Sequence, residues 1–120
     1  LIDTKISPGI INDGGVILGA GGVIVLDESI KIIDSIKHLA EYNANESCGK
    51  CTPCREGTPQ LVELIDKFID QNATNDDLKE LQTLATIIKD SSLCGLGQAA
   101  GNPVFSLIRF FNDQLTTKAN

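Results

Sequence analysis

Apolar residues recur along the chain with two periods, and the change falls near residue 26. Upstream, Val16-Ile17-Leu18 and Val23-Ile24-Val25 are short β-branched runs punctuated by Gly9, Gly14, Gly15, Gly19, Gly21 and Gly22. Glycine supplies the positive φ that tight turns need. Residues 1–26 therefore read as the remnant of an upstream β-domain, short strands joined by turns. Gly19-Ala20-Gly21-Gly22 is not a dinucleotide loop, because Ile24 stands where the third glycine belongs and a strand rather than a helix follows.

From Asp27 the period becomes helical. Asp27 or Ser29 can cap a first helix, ending near Asn43, with Ile30, Ile33, Ile36, Leu39 and Ala40 on one stripe. Leu61, Leu64, Ile65, Phe68 and Ile69 mark a second, for which both Thr52-Pro53 and Thr58-Pro59 offer a start. With the earlier start, Pro59 would bend that helix near Gly57. Thr74-Asn75-Asp76-Asp77 resembles a capping box opening a third helix, whose face is Leu78, Leu81, Leu84, Ala85 and Ile88. It should end near Cys94, with Gly95 as its left-handed terminal residue. Asn102-Pro103 reads as the cap and first residue of a fourth helix bearing Val104, Leu107, Ile108, Phe111 and Leu115. The expected fold is mainly α: a small four-helix bundle over residues 27–120 with a short Gly-rich β segment at the N-terminus.

Composition narrows the function. The net charge of −6 and the dispersal of ten Lys and Arg residues argue against nucleic acid, which needs a basic stripe. No run approaches the ~20 apolar residues of a membrane span, and no signal peptide is visible. With no Trp, one Tyr and four Phe, the core must be aliphatic. The chain has no Met and opens on Leu1, so it reads as a segment of a larger polypeptide.

The cysteines change the picture most. There are four, at 48, 51, 54 and 94, and three of them lie in Cys48-Gly49-Lys50-Cys51-Thr52-Pro53-Cys54. Thiolates stepped three residues apart can cap three corners of a cubane [4Fe–4S] cluster, and the fourth corner takes a remote cysteine. A structural Zn site also uses four thiolates, but usually as two separated C-x2-C pairs. Two disulfides would suit a secreted chain, whereas thiols used as metal ligands fit a reducing compartment, cytoplasm or organelle matrix. With four cysteines, such a cluster has no open iron for substrate. It suits electron transfer, and the segment is not expected to be catalytic alone.

Neighbouring residues fit that picture. Gly49, Gly95 and Gly97 leave backbone N–H groups free to approach sulfur, and Lys50 and Arg55 bring positive charge beside an anionic centre. For Lys50, solvent is an equal alternative; for Arg55 a cluster-side or structural role is favoured. His38, the one histidine, lies beside the apolar stripe of the first helix and is expected in a surface or packing role rather than as a ligand. Ser47, Ser91 and Ser92 have no triad to join, and Glu46 and Glu56 flank the loop without a visible substrate pocket.

Glu46 through Gly57, followed by Cys94-Gly95-Leu96-Gly97, closely resembles the iron–sulfur region of the NADH-oxidising flavoprotein subunit of respiratory complex I. The same family includes diaphorase subunits of NAD(P)-reducing hydrogenases and of formate dehydrogenases. Gly19 through Glu28 resembles the family's exit from a ubiquitin-like β-domain, and Asn102-Pro103-Val104 through Phe111 its final helix. The resemblance spans about Gly14 to Leu115. It implies that Cys48, Cys51, Cys54 and Cys94 ligate one [4Fe–4S] cluster relaying electrons from reduced FMN to clusters on partner subunits. The family's FMN- and NADH-binding segments have no counterpart here, so FMN and NAD(P)H would bind only the upstream flavin and nucleotide domain of the parent subunit. A location at the periphery of a membrane complex is compatible. The alternative is a docking module of the same complex, stabilised by Zn or without metal.

Overall fold

The structure is a computed structural model that describes residues 21–115. Among these residues the chain forms five α-helices and a closing 3-10 turn: α1 (Ile32–Asn45), α2 (Thr52–Ile69), α3 (Asn75–Ser91), α4 (Gly95–Ala100), α5 (Asn102–Phe110) and the turn Asn112–Gln114. α1 packs on α2, α2 on α3, and α5 crosses back onto both α1 and α3. The mainly helical expectation holds. The expected β segment lies largely outside the described residues. Its last run, Val23-Ile24-Val25, is exposed and carries no regular secondary structure, since no partner strand among the described residues offers it ladder hydrogen bonds.

The core is aliphatic, as the scarcity of aromatics requires. Ile33, Ile36, Ala40, Leu61, Leu64, Ile65, Phe68, Leu81, Ala85, Ile88, Val104, Leu107 and Leu115 form one buried cluster. Two residues of the α1 stripe, Ile30 and Leu39, are exposed instead. α1 also starts later than Asp27 or Ser29 suggests. The Asp27 carboxylate accepts from both the N–H and the hydroxyl of Ser29 (2.9 and 2.5 Å), and Ile30 N–H donates to Asp27 O. Asp27 thus stabilises a turn, the alternative use of the same side chain, and the helix begins at Ile32.

α2 takes the earlier of its two starts, at Thr52-Pro53, and keeps Pro59 inside the helix. Its neighbour Thr58 is buried and donates its hydroxyl to Cys54 O (2.8 Å). Gly57 lets α2 lie close to α3: a Cβ there would come within 2.6 Å of the buried Ile88 side chain. The capping box at α3 forms as expected. Asp77 N–H donates to Thr74 Oγ1, and Thr74 N–H to Asp77 Oδ2 (2.8 Å). Lys67 of α2 donates to the other Asp77 oxygen (2.5 Å). That ammonium first, and the Thr74 hydroxyl next, hold the Asp77 carboxyl well below the usual carboxylate range. Thr74→Ala should cost about 1 kcal/mol. In urea denaturation the midpoint should fall with an unchanged slope, and an unchanged midpoint would show that the cap contributes nothing.

The C-terminal part departs most from expectation. α3 ends at Ser91, and Gly95 does not terminate it in a left-handed conformation. Ser92 and Cys94 are extended (ψ 146° and 169°), and Gly95 opens a separate short helix. The last stripe is also divided: Asn102 is the first residue of α5 rather than its cap, because Gly101 stays helical (φ −79°, ψ −13°). Gly101 is needed there for space, since a Cβ would sit 2.9 Å from Ala85 O on α3. α5 ends at Phe110, and Leu115 reaches the core from beyond the 3-10 turn.

Candidate metal centre

The short helix α4 brings the remote cysteine to the loop cysteines. Cys51 is the residue capping the N-terminus of α2, Cys54 lies in its first turn, and Cys94 occupies the corresponding capping position of α4. Cys48 sits in the turn leading into α2. All four thiols line one small cavity of about 80 Å³, together with Glu46, Ser47, Lys50 and Leu96. Cys54 is buried at its base, Cys51 is half-buried, and Cys48 and Cys94 are exposed at the rim. The cysteines are unpaired, so the two-disulfide reading finds no support.

Each wall of the cavity has a local cause. The loop turns at Gly49, whose φ of +73° is the left-handed conformation that favours glycine. Arg55, from the first turn of α2, reaches back to close that turn, donating Nη1–H to Gly49 O (2.9 Å) and Nε–H to Glu56 (2.7 Å). Its role is thus to brace the loop. Gly49 N–H donates to Ser47 Oγ (3.3 Å), which lies 3.2 Å from Cys54 Sγ. When Cys54 is a thiolate, that relay aims the Ser47 hydroxyl proton at its sulfur. On the opposite side Gly97 is buried, with space for no side chain: a Cβ would fall on Ser92 and stand 3.3 Å from the Cys54 Cβ. Gly95, by contrast, faces open space.

The electrostatics favour the anionic form at Cys51. Cys51 is held below the ordinary thiol range, chiefly by the Leu93 backbone N–H, with the Cys54 N–H and the Ser92 hydroxyl adding to it against a desolvation penalty. The Ser92 hydroxyl lies near the Cys51 sulfur, but not in the geometry of a well-formed hydrogen bond. Metal ligation requires the thiolate, and the start of α2 adds the positive end of a helix dipole.

This donor set fits an iron–sulfur cluster. Tetrahedral Zn–S bonds of ~2.3 Å would hold four sulfurs within about 4 Å of one another. Among the described residues no three Cys, His, Asp or Glu side chains converge in that way. Four cysteines lining one cavity supply the one thiolate per iron that a cube takes.

Lys50 is exposed and lines the cavity. His38 is exposed on α1 beside Glu41 (3.2 Å), away from the cysteines. Ser47, Ser92 and the Leu93 N–H were not legible as parts of the site. Serines flank cysteines in many proteins; the loop into α2 places Ser47 beside Cys54, and the turn into α4 places Ser92 and Leu93 beside Cys51. No helix among the described residues is long and apolar enough to cross a membrane.

Comparison with known proteins agrees with this geometry. Residues 34–118 match the family described as the NADH-ubiquinone oxidoreductase-F iron-sulfur binding region. The NADP-reducing hydrogenase subunit HndC of Solidesulfovibrio fructosivorans is 41% identical over 98 residues, covering 82% of this chain and 20% of that subunit. The matching NADH-quinone oxidoreductase subunit of Rickettsia rickettsii is 39% identical over 101 residues, covering 84% and 24%. The solved structure of an NAD+-reducing [NiFe]-hydrogenase in the H2-reduced state superposes with a TM-score of 0.72 at 40% identity, over 76% of this chain and 16% of the other. The chain thus spans about a fifth to a quarter of the length of the curated relatives it matches. The family match runs over residues 34–118, and the relatives align over more than four fifths of the chain; on that ground the chain belongs to the family of NADH-ubiquinone oxidoreductase-F iron–sulfur binding regions.

Proposed function

We propose that this chain is an electron-relay domain in which Cys48, Cys51, Cys54 and Cys94 hold one [4Fe–4S] cluster. The observation that carries the reading is the convergence of all four cysteines, and of no other cysteine, on one cavity. When bound, such a cluster supplies one-electron storage and transfer. The chain's own residues do the rest. Arg55 fixes the loop, Ser47 and the Leu93 N–H stabilise sulfur charge, and Cys54 is shielded by α4 while the Cys48 and Cys94 rim stays accessible.

The parent protein, in this reading, is a subunit of an NAD(P)H-oxidising oxidoreductase. An upstream flavin domain, carrying FMN reduced by NAD(P)H, would deliver electrons to this domain, and iron–sulfur clusters on partner subunits would take them onward. Residues 1–26 would be the exit from a β-domain, and residues 27–120 the cluster domain. A cytoplasmic or organelle-matrix setting, including the surface of a membrane complex, keeps the thiols reduced.

Anaerobic reconstitution with iron and sulfide tests this. About four irons per chain, a broad visible charge-transfer band and an EPR signal on reduction are expected. One Zn per chain and no such spectrum would instead support a metal-stabilised docking module.

A further inference from the structure

Ser92 is a buried polar residue that packing alone does not explain. It follows the last turn of α3 with an extended backbone and is 6% exposed. Its Oγ is fully enclosed and makes no hydrogen bond. An unpaired buried hydroxyl costs about 1–3 kcal/mol, and alanine would occupy the same place without that cost. Such groups in native proteins call for a missing water, ion or functional partner.

The surroundings point to where the partner lies. Gly97 packs directly on Ser92, so close that a Cβ would fall on the hydroxyl and 2.5 Å from the Ser92 Cβ. The same absent Cβ would stand 3.3 Å from the Cys54 Cβ. Ser92 is therefore enclosed between the start of α4 and the cysteine wall, two residues before Cys94. The Cys51 thiol is among its neighbours. Gln98 does not occupy it, because that side chain donates to the Ser92 carbonyl (3.1 Å).

We infer that Ser92 is a positioning residue whose hydroxyl donates a hydrogen bond to a sulfur of the iron–sulfur cluster or of its cysteine ligands, and thereby raises the reduction potential. The inference rests on the cluster assignment above and extends it to a residue outside the ligand set. Reduction adds one negative charge to the cluster, and a donor aimed at sulfur stabilises that form more than the oxidised one.

The test is a mediated redox titration, followed by EPR, of the 120-residue chain reconstituted anaerobically with iron and sulfide. Wild type, Ser92→Ala and Ser92→Thr are compared, with folding checked by far-UV circular dichroism. Ser92→Ala should keep the iron content but shift the midpoint down. At the wild-type midpoint its reduced-to-oxidised ratio should fall severalfold, a tenfold fall being about 59 mV for one electron. In pulsed EPR before and after transfer to D2O, one exchangeable-proton coupling should be present in wild type and absent from Ser92→Ala. It should persist in Ser92→Thr, which keeps the hydroxyl but adds a methyl to a closely packed wall. A wild-type midpoint together with an unchanged set of exchangeable couplings in Ser92→Ala would overturn the inference. So would loss of that coupling from a Thr variant that still holds about four irons. Loss of iron in Ala that Thr restores supports it. Failure of the wild-type chain to take up about four irons is a separate result, which removes the cluster assignment itself.

Discussion

Cys94→Ser is expected to take the reconstituted chain from about four irons to three or fewer, with loss of the reduced-state EPR signal. Cys94 is the one candidate ligand outside the heptapeptide, so it tests whether the α3–α4 turn closes the site. Its side chain is exposed and makes no core contact. Serine can also cap the N-terminus of α4 at least as well as cysteine. The fold should therefore survive, and the change should read on the metal alone. Three loop thiolates can still hold three corners of a cube, which makes a three-iron species the natural remainder. Iron content and spectrum equal to wild type would remove Cys94 from the ligand set.

Gly97→Ala is expected to damage both folding and cluster retention. The added methyl would meet Ser92 and the Cys54 Cβ in a buried wall. Neither neighbour is the free end of a flexible side chain. Relief requires α4 to move away from α2, which opens the cavity at Cys54. Overpacking of this kind costs typically about 1–3 kcal/mol, visible as a lower urea midpoint. Iron should also leave faster to a chelator. Gly95→Ala is the internal control: it lies two residues away on the same helix, is exposed, and has nothing within 4 Å of its missing Cβ. Equal stability and iron retention in the two variants would show that the close approach at Gly97 has no consequence.

Much of the molecule was legible along the chain because its causes are local. The Thr74–Asp77 capping box formed between residues three apart, and the apolar stripes of α2, α3 and α5 matched the buried positions closely. The early start of α2 followed one of the two Thr-Pro signals, although the choice between them was not local. The misreadings share another cause. Asp27 and Gly95 each have two legitimate local uses, a cap or a turn and a helix end or a helix start, and the surroundings decide between them. Leu39 fell on the apolar stripe but is exposed among the described residues.

The sequence by itself determined the chemistry: four cysteines, their spacing, and a helical, acidic setting without a basic stripe. Ligand type and spacing along a loop are covalent facts, and they restrict the metal before any folding is considered. Only the tertiary structure decided that Cys94 shares a cavity with the loop, and that α4 is a helix of its own beside it. It likewise assigned Arg55 to bracing Gly49 and enclosed Ser92 behind the cysteines. The Arg55–Gly49 bond spans six residues, whereas the Cys94 and Ser92 placements join segments some forty residues apart. They depend on how closely α2, α3 and α4 can approach, a distance set by the absent side chains of Gly57, Gly97 and Gly101.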